Sequence, residues 1–135
     1  MANVSSIQIL VDGPKNVVVK FEGVLDTSDL SSTTIADPAT LSDILDGGFK
    51  ASKLRINKIM YNIEDGLAVN LLWDATTAVR IEELVGRGKM EYRPFGGLQN
   101  NAGAGITGKI LATTQGWAAT QTLSFSLILE MSKQK

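Results

Sequence analysis

The chain has 135 residues and a mass of 14.4 kDa, with 44% hydrophobic and 20% charged residues, which is the composition of an ordinary globular domain. It carries 13 Lys and Arg against 14 Asp and Glu, a formal net charge of -1, and this balance argues against a nucleic-acid-binding protein. Cys and His are both absent. Their absence excludes disulfides, His-based catalytic triads, Cys nucleophiles and the usual zinc and copper sites within this chain.

The first residues, Met1 to Ser6, contain neither the basic nor the apolar region of a secretion signal. No apolar run approaches the roughly 18 residues that a membrane span requires. The sequence therefore predicts a protein that is made in the cytoplasm and has no membrane partner. We expect residues 1–135 to form one domain and residues 1–6 to be a flexible N-terminal arm.

Alternation of apolar and polar residues predicts β-strands along most of the chain. In chain order, the predicted strands cover residues 7–11, 16–25, 52–63, 67–73, 79–85, 89–93, 109–114 and 123–131. The apolar parity changes within 52–63, which predicts a β-bulge or a switch of the buried face. Residues 79–85 also fit a helical stripe, but the β-branched residues that precede them favour a strand.

Two local signals lie between the predicted strands. The segment Glu64-Asp65-Gly66 is typical of a turn, and with a strand pattern on each side it predicts a β-hairpin. Asp37 can cap a helix that starts at Pro38, so a short helix is predicted over 38–46, before Gly47-Gly48. Many short strands, one small helix and no βαβ alternation predict an all-β fold, an antiparallel sandwich of the jelly-roll or Greek-key type.

The glycine-rich segment 96–108 contains two patterns that nucleotide-binding proteins use. Gly103 to Gly108 fits GxGxxG, and the same residues with Lys109 fit GxxxxGK. The first pattern requires a helix directly after it, whereas residues 109–114 read as a strand. The second requires Ser or Thr after the lysine, where this chain has Ile110. The segment is therefore predicted to be a long loop that binds no nucleotide.

Carboxylates occur in two groups, one around the predicted helix and one at the predicted turn. They are Asp37, Asp43, Asp46, Glu64 and Asp65. Their spacing lacks the alternation of a calcium-binding loop, and a helix cap with a solvated face explains the first group. We therefore expect no metal, no cofactor and no catalytic residues, so that the protein is not an enzyme.

Aromatic residues flank a modest basic patch in the second half of the chain. The patch comprises Arg80, Arg87, Lys89 and Arg93, with Tyr92 and Phe95 beside it. It fits either a contact surface for an acidic partner or a solvated strand face that nearby glutamates partly neutralise. Trp117 follows Gly116, and it fits either an exposed interface aromatic or a tryptophan folded over the end of the sandwich.

Several runs of this sequence resemble a family of tailed-phage proteins. The runs are Leu71 to Thr77, Phe95 to Gly103, Thr107 to Ile110 and a final strand that closes at Lys133. The resemblance covers residues 54–135 and also 5–26. The family consists of small β-sandwich virion proteins encoded near phage structural genes, particularly in marine and cyanobacterial phages, and it supplies no catalytic residues.

The resemblance implies a capsid decoration or cement subunit on the capsid surface, which stabilises the head by binding the major capsid protein. It also implies a homo-oligomer, with a trimer favoured, and nucleic acid is not an expected partner. The predicted interface residues are Arg93, Phe95, Leu98, Asn100, Asn101 and Trp117. One alternative is a head–tail connector, tail or fibre-associated module. Another is a carbohydrate-binding module that stacks sugars on Trp117, Tyr92 and Phe95.

Overall fold

The structure is a computed structural model that describes residues 3–41, 50–118 and 120–134. These residues form nine β-strands and two single-turn 3-10 helices, Pro38–Thr40 and Arg93–Phe95. The strands are β1 (Val4–Asp12), β2 (Asn16–Leu25), β3 (Thr33–Ala36), β4 (Lys53–Ile63), β5 (Ala68–Trp73), β6 (Val79–Val85), β7 (Arg87–Glu91), β8 (Ile110–Gln115) and β9 (Leu123–Gln134). No helix within the described ranges has the length and apolar character needed to cross a membrane.

The strands form two antiparallel sheets that face each other. One sheet has the order β1-β2-β9-β4-β7 and the other has the order β3-β8-β5-β6. Strands β2 to β9 thereby make two four-stranded sheets in jelly-roll order, and β1 is an additional strand at the outer edge of β2. The prediction of an all-β antiparallel sandwich is confirmed.

Inward side chains of the two sheets form the hydrophobic core. Val17, Val19 and Phe21 of β2 are at most 1% exposed and alternate with outward residues. Trp73 of β5 is also 1% exposed, and the rings of Phe21 and Phe125 pack with their centroids 5.2 Å apart. Each such burial contributes about 1.5–3 kcal/mol, so this alternation is the main source of stability.

Two detailed strand predictions are confirmed. The pairing of β4 with β9 shifts register between Ile56 and Lys58, which is the predicted bulge. As a result Ile56 and Ile59, which have opposite parity in the sequence, are both fully buried. Residues 79–85 form β6, which pairs with β5, so the strand interpretation of this segment is correct.

The hairpin prediction at Glu64-Asp65-Gly66 is wrong in its pairing. The turn itself is present, because the Leu67 N–H donates to the Glu64 carbonyl at 3.2 Å. However, β4 pairs with β7 and β9 in one sheet, whereas β5 pairs with β6 and β8 in the other. The turn therefore carries the chain between sheets, and packing across the core requires the same apolar alternation as a hairpin does.

The predicted N-terminal arm is wrong for residues 4–6. These residues belong to β1 and pair with residues 22–24 of β2. Before them, the Asn3 side-chain oxygen accepts the backbone N–H groups of Asp26 and Thr27 at 2.8 and 2.9 Å. These hydrogen bonds hold the segment in place. Residues 1 and 2 lie outside the described residues.

The predicted helix is present only as its first turn in the described residues. Asp37 caps it as expected, with Oδ1 accepting the Ala39 N–H at 3.0 Å, and Pro38 is its first residue. The turn is a 3-10 helix that ends at Thr40, and Leu41 is already extended. Residues 42–46 of the prediction lie outside the described residues. Strand β3, with only four residues, was too short for its alternation to be recognised.

Candidate interaction surface

Residues 92–109, between β7 and β8, run over one end of the sandwich and form what we call the closing loop. Leu98 exchanges two backbone hydrogen bonds with Ile56 of β4, at 2.7 and 3.0 Å. Thr107 bonds Asp74, which follows β5, through both its N–H and its hydroxyl, at 3.3 and 2.8 Å. The closing loop is thus fastened to both sheets.

Gly108 shows why the nucleotide-like pattern of this loop is rich in glycine. Its φ is +84°, and a Cβ at this position would overlap the backbone carbonyl oxygen of Ser52. The residue therefore has to be glycine for the loop to pack against the chain before β4. Strand β8 begins two residues later, at Ile110, so a strand follows the pattern, as the sequence predicts.

Phe95 is the most exposed large hydrophobic residue among those described, at 82%. It ends the 3-10 turn that starts at Arg93, and its N–H donates to the Tyr92 carbonyl at 3.0 Å. The Gly97 N–H donates to the same carbonyl at 2.8 Å, and Gly96 has a left-handed conformation. The backbone under the ring is therefore fixed, and the ring projects into solvent.

Arg93 is exposed but is already paired within the protein. Its guanidinium lies 2.8 Å from Glu130 Oε1 on β9 and 3.1 Å from Glu91 Oε1 on β7. The hydrogen bond to Glu130 is the largest contribution that raises the pKa of Arg93 above its ordinary value. Arg93 consequently fixes the base of the turn that carries Phe95, in addition to presenting a charge at the surface.

Tyr92 attaches the same turn to the other sheet. Its N–H donates to the Asn57 carbonyl at 2.8 Å, and its hydroxyl donates to Glu82 Oε2 of β6 at 3.2 Å. Burial, and then the nearby charge of Glu82, raise the pKa of Tyr92 from 10.0 to about 12. Tyr92 therefore acts as a half-buried support and not as a free aromatic surface.

Leu98, Asn100 and Asn101 share the closing loop with Phe95 but differ in exposure. Leu98 packs partly buried against the core. The Oδ1 atom of Asn100 accepts the Ala102 N–H at 3.0 Å, while its Nδ2 atom is buried with no hydrogen-bond partner among the described residues. Asn101 is exposed. Of these three residues, Asn101 is thus the one most available to a partner.

Trp117 lies apart from the closing loop. Its N–H donates to Asp29 Oδ1 and its indole N–H donates to the Gln121 carbonyl, both at 3.1 Å. It follows β8 where Gln115 pairs with Ala68, which begins β5 just after the end of β4. Tyr92, in contrast, bonds Asn57 in the middle of β4. The intervening strand is about 20 Å long. Trp117 is half-buried against the core and lies apart from Phe95, so the two rings do not adjoin. Their joint contact with one partner, and sugar stacking on them, stay predictions.

The predicted basic patch is divided between the two sheets. Arg80 is on β6 and forms an ion pair with Glu83 at 2.9 Å, whereas Arg87 and Lys89 are on β7 in the other sheet. The interpretation as solvated strand faces therefore describes these residues better. Within the described parts of the chain, no group of three carboxylates is placed to hold a metal ion.

Sequence reasoning did not identify β1 as a candidate surface. Every residue from Val4 to Val11 is exposed, although most of them are apolar. The sequence signal for such a surface is the near absence of charged residues, since Asp12 is the one ionisable residue among the nine of β1. The sequence pattern divides this segment between a predicted arm, residues 1–6, and a predicted strand, residues 7–11, and so does not indicate one long apolar strand.

No protein-family model matches the chain, and no curated protein matches it. Among solved structures, it is similar to one titled "CBM4 structure and function", with 8% sequence identity and a TM-score of 0.33. The similarity spans 98% of this chain and 95% of that chain. A TM-score at this level assigns neither a fold family nor a function to the chain.

Proposed function

We propose that this protein is a non-enzymatic structural component of a tailed-phage virion, a decoration or cement subunit that binds the major capsid protein on the head surface. The sequence resemblance described above supports this role. Jelly rolls are used by viral capsid proteins, but also by lectins and cupins, so the fold is compatible with the proposal without selecting it.

The observation that carries the proposal is the rigid presentation of Phe95. An aromatic ring that is 82% exposed on a hydrogen-bonded turn loses little conformational entropy when it enters a pocket of a partner. Such buried aromatic anchors dominate the binding energy of protein interfaces. Arg93 in the same turn is a polar residue beside it, and polar residues are the usual surrounding of an anchor.

Co-sedimentation of the purified protein with empty capsids of its own phage tests the proposal. We expect wild-type protein to bind at saturating, symmetry-related copy number, and Phe95→Ala to weaken binding about 30-fold, equivalent to about 2 kcal/mol. Val85→Ala is the matched control, because Val85 is 56% exposed but lies on β6 in the opposite sheet. Equal binding of Phe95→Ala and wild type, or no binding of wild type, contradicts the proposal.

Point substitution is a better test than deletion of the loop between Gly97 and Gly105. The closing loop is hydrogen-bonded to Ile56 and Asp74, so deletion would open one end of the sandwich. The same co-sedimentation with purified tails tests the alternative role as a connector, tail or fibre-associated module. Binding to tails and not to capsids would favour that alternative.

A further inference from the structure

Strand β1 presents an apolar edge that the described residues leave uncovered. Its large hydrophobic side chains are 44 to 64% exposed, and they are Val4, Ile7, Ile9, Leu10 and Val11. Ile7 and Ile9 pair with Phe21 and Val19 of β2, whose side chains face the core, so both isoleucines are on the inner face of the sheet. They remain exposed because the facing four-stranded sheet ends at β3, which packs on β2.

The other sheet edges carry the features that normally prevent strand addition. Strand β7 has five residues, three of them charged, and β3 has only four residues. Strand β6 contains Arg80, Glu82 and Glu83. In contrast, β1 has nine residues and one charged side chain, Asp12, whose carboxylate lies 2.8 Å from Lys133 Nζ. Short length and charge protect edges against pairing, and β1 has neither form of protection.

We propose that β1 pairs antiparallel with β1 of a second copy of this chain, about a twofold axis perpendicular to the sheet. The pairing joins two five-stranded sheets into one continuous sheet and makes the protein a dimer. This interaction surface is separate from the proposed capsid contact at Phe95, which lies beyond β7 at the other edge of the same sheet.

Self-pairing fits β1 because the strand is complementary to itself. With the axis at Gln8, Ile7 of each copy lies opposite Ile9 of the other on the inner face, while the two Gln8 side chains meet on the outer face. Opposed apolar residues of this kind stabilise a strand pair, and amide side chains can exchange hydrogen bonds. The two Asp12 side chains lie at opposite ends of the pair, so no like charges face each other.

Pairing with a different edge of a second copy is less favourable. The β7 edge offers only five residues, and Arg87, Lys89 and Glu91 would be brought beside the apolar residues of β1. A head-to-tail contact of that kind would produce rings such as the trimer that the sequence resemblance implies. The mass of the oligomer therefore distinguishes the two arrangements.

A single cysteine tests the pairing directly, since the chain contains none. Opposed residues of antiparallel strands have Cα atoms about 4.5–5.5 Å apart, within the range of a disulfide. Gln8→Cys is expected to give a covalent dimer on mild oxidation at micromolar concentration. Lys89→Cys, in the middle of the β7 edge, is the control and is expected to form no covalent dimer, because it lies away from the proposed β1 contact.

A second variant tests the apolar contact without a cross-link. Ile9→Lys should weaken association at least about tenfold and leave the monomer folded, because the side chain is half-exposed and the substitution adds a charge to the edge. Light scattering of the wild type should give twice the chain mass. A wild-type monomer, a trimer, or a Gln8→Cys variant that cross-links no faster than Lys89→Cys overturns the proposal.

The outcome is independent of capsid binding. If β1 pairing fails while Phe95→Ala still weakens capsid binding as expected, only the dimer is wrong. If the dimer forms but wild-type protein ignores capsids, the self-association stands and the proposed function falls.

Discussion

The two edges of the five-stranded sheet differ in how well they are protected against pairing with other chains. On the β7 side, the strand is short and charged, and the edge of the sheet is continued by Leu98, which pairs with Ile56. Tyr92 and Arg93 fasten the turn beyond β7 to both sheets. On the other side, β1 is long and almost uncharged, and its residues 4–11 are exposed.

The two edges therefore differ in whether their side chains stabilise the monomer or stay available to another chain. On the β7 side, Tyr92, Arg93 and Leu98 make contacts within the molecule, and Phe95 is the large apolar residue that stays exposed there. On the β1 side, the strand adds little to the core, because none of its residues is buried. A strand that costs conformational entropy and buries little apolar surface is best explained by contacts that a second chain provides.

The largest expected effect comes from removing the ammonium group that holds the turn after β1. Lys133 has a fully buried side chain, and its Nζ lies 2.8 Å from Asp12 Oδ1 and 2.7 Å from the Gly13 carbonyl. Lys133→Met should lower the free energy of unfolding by about 2–3 kcal/mol, less than for a fully buried pair because Asp12 is partly exposed.

Urea denaturation measures this effect, and Lys20→Met is its control. Lys20 forms a surface ion pair with Glu22 at 3.6 Å, and its loss should change the free energy of unfolding by less than about 0.5 kcal/mol. Equal effects of the two variants would mean that Lys133 does not anchor the β1 edge. The difference between the two sheet edges would then need another explanation.

A smaller effect is expected at the opposite edge of the sheet, where the closing loop continues the edge beyond β7. Gly97 has a φ of +87°, and a Cβ there would lie 2.5 Å from Arg55 Cδ. Gly97→Ala should lower the free energy of unfolding by about 1–2 kcal/mol, chiefly through backbone strain. Gly103→Ala is the control in urea denaturation, because a Cβ there meets nothing within 4 Å. A similar loss of stability in both variants would show that the left-handed conformation of Gly97 is not the cause of the effect.

The smallest expected effect concerns Tyr92, and it depends on pH. Tyr92→Phe removes the hydrogen bond to Glu82 and should cost about 1 kcal/mol near neutral pH. The folded protein keeps the phenol proton up to a pKa of about 12, whereas the unfolded chain loses it near 10.0. The free energy of unfolding of the wild type should therefore fall as the pH rises from about 10 toward 12.

Thermal denaturation of both proteins over this alkaline range measures the difference. The stability advantage of wild type over Tyr92→Phe should shrink as the pH rises, because the unfolded phenolate is favoured. A constant difference between the two proteins would show that the hydroxyl of Tyr92 is not held as described.

The sequence was informative about strands and much less so about their partners. Alternation located β2, β4, β5 and β9 and even the bulge near Asn57, because a one-residue slip changes which face is buried. The same alternation could not reveal that Glu64-Asp65-Gly66 joins two sheets. The alternation of apolar and polar residues is the same whether the next strand of the chain pairs beside the first in one sheet or packs against it across the core.

The candidate site was predictable to a similar degree. Phe95 was recognisable as an aromatic residue in a turn-rich segment, and the structure places it on the surface. The position of Trp117 depends on the distance along β4, which no local pattern contains. The importance of β1 was hidden because exposure depends on the width of the facing sheet, a property of the whole fold.

The central place of β9 has a consequence for how this protein folds. Val17 of β2 pairs with Met131 of β9, on the order of 100 residues later in the chain, and β9 also pairs with β4. Until β9 has paired with them, β2 and β4 each lack a hydrogen-bonded neighbour on one side, and the five-stranded sheet is incomplete. Such distant pairing makes loop closure costly, so folding should be slow, with the larger sheet assembled in its final step.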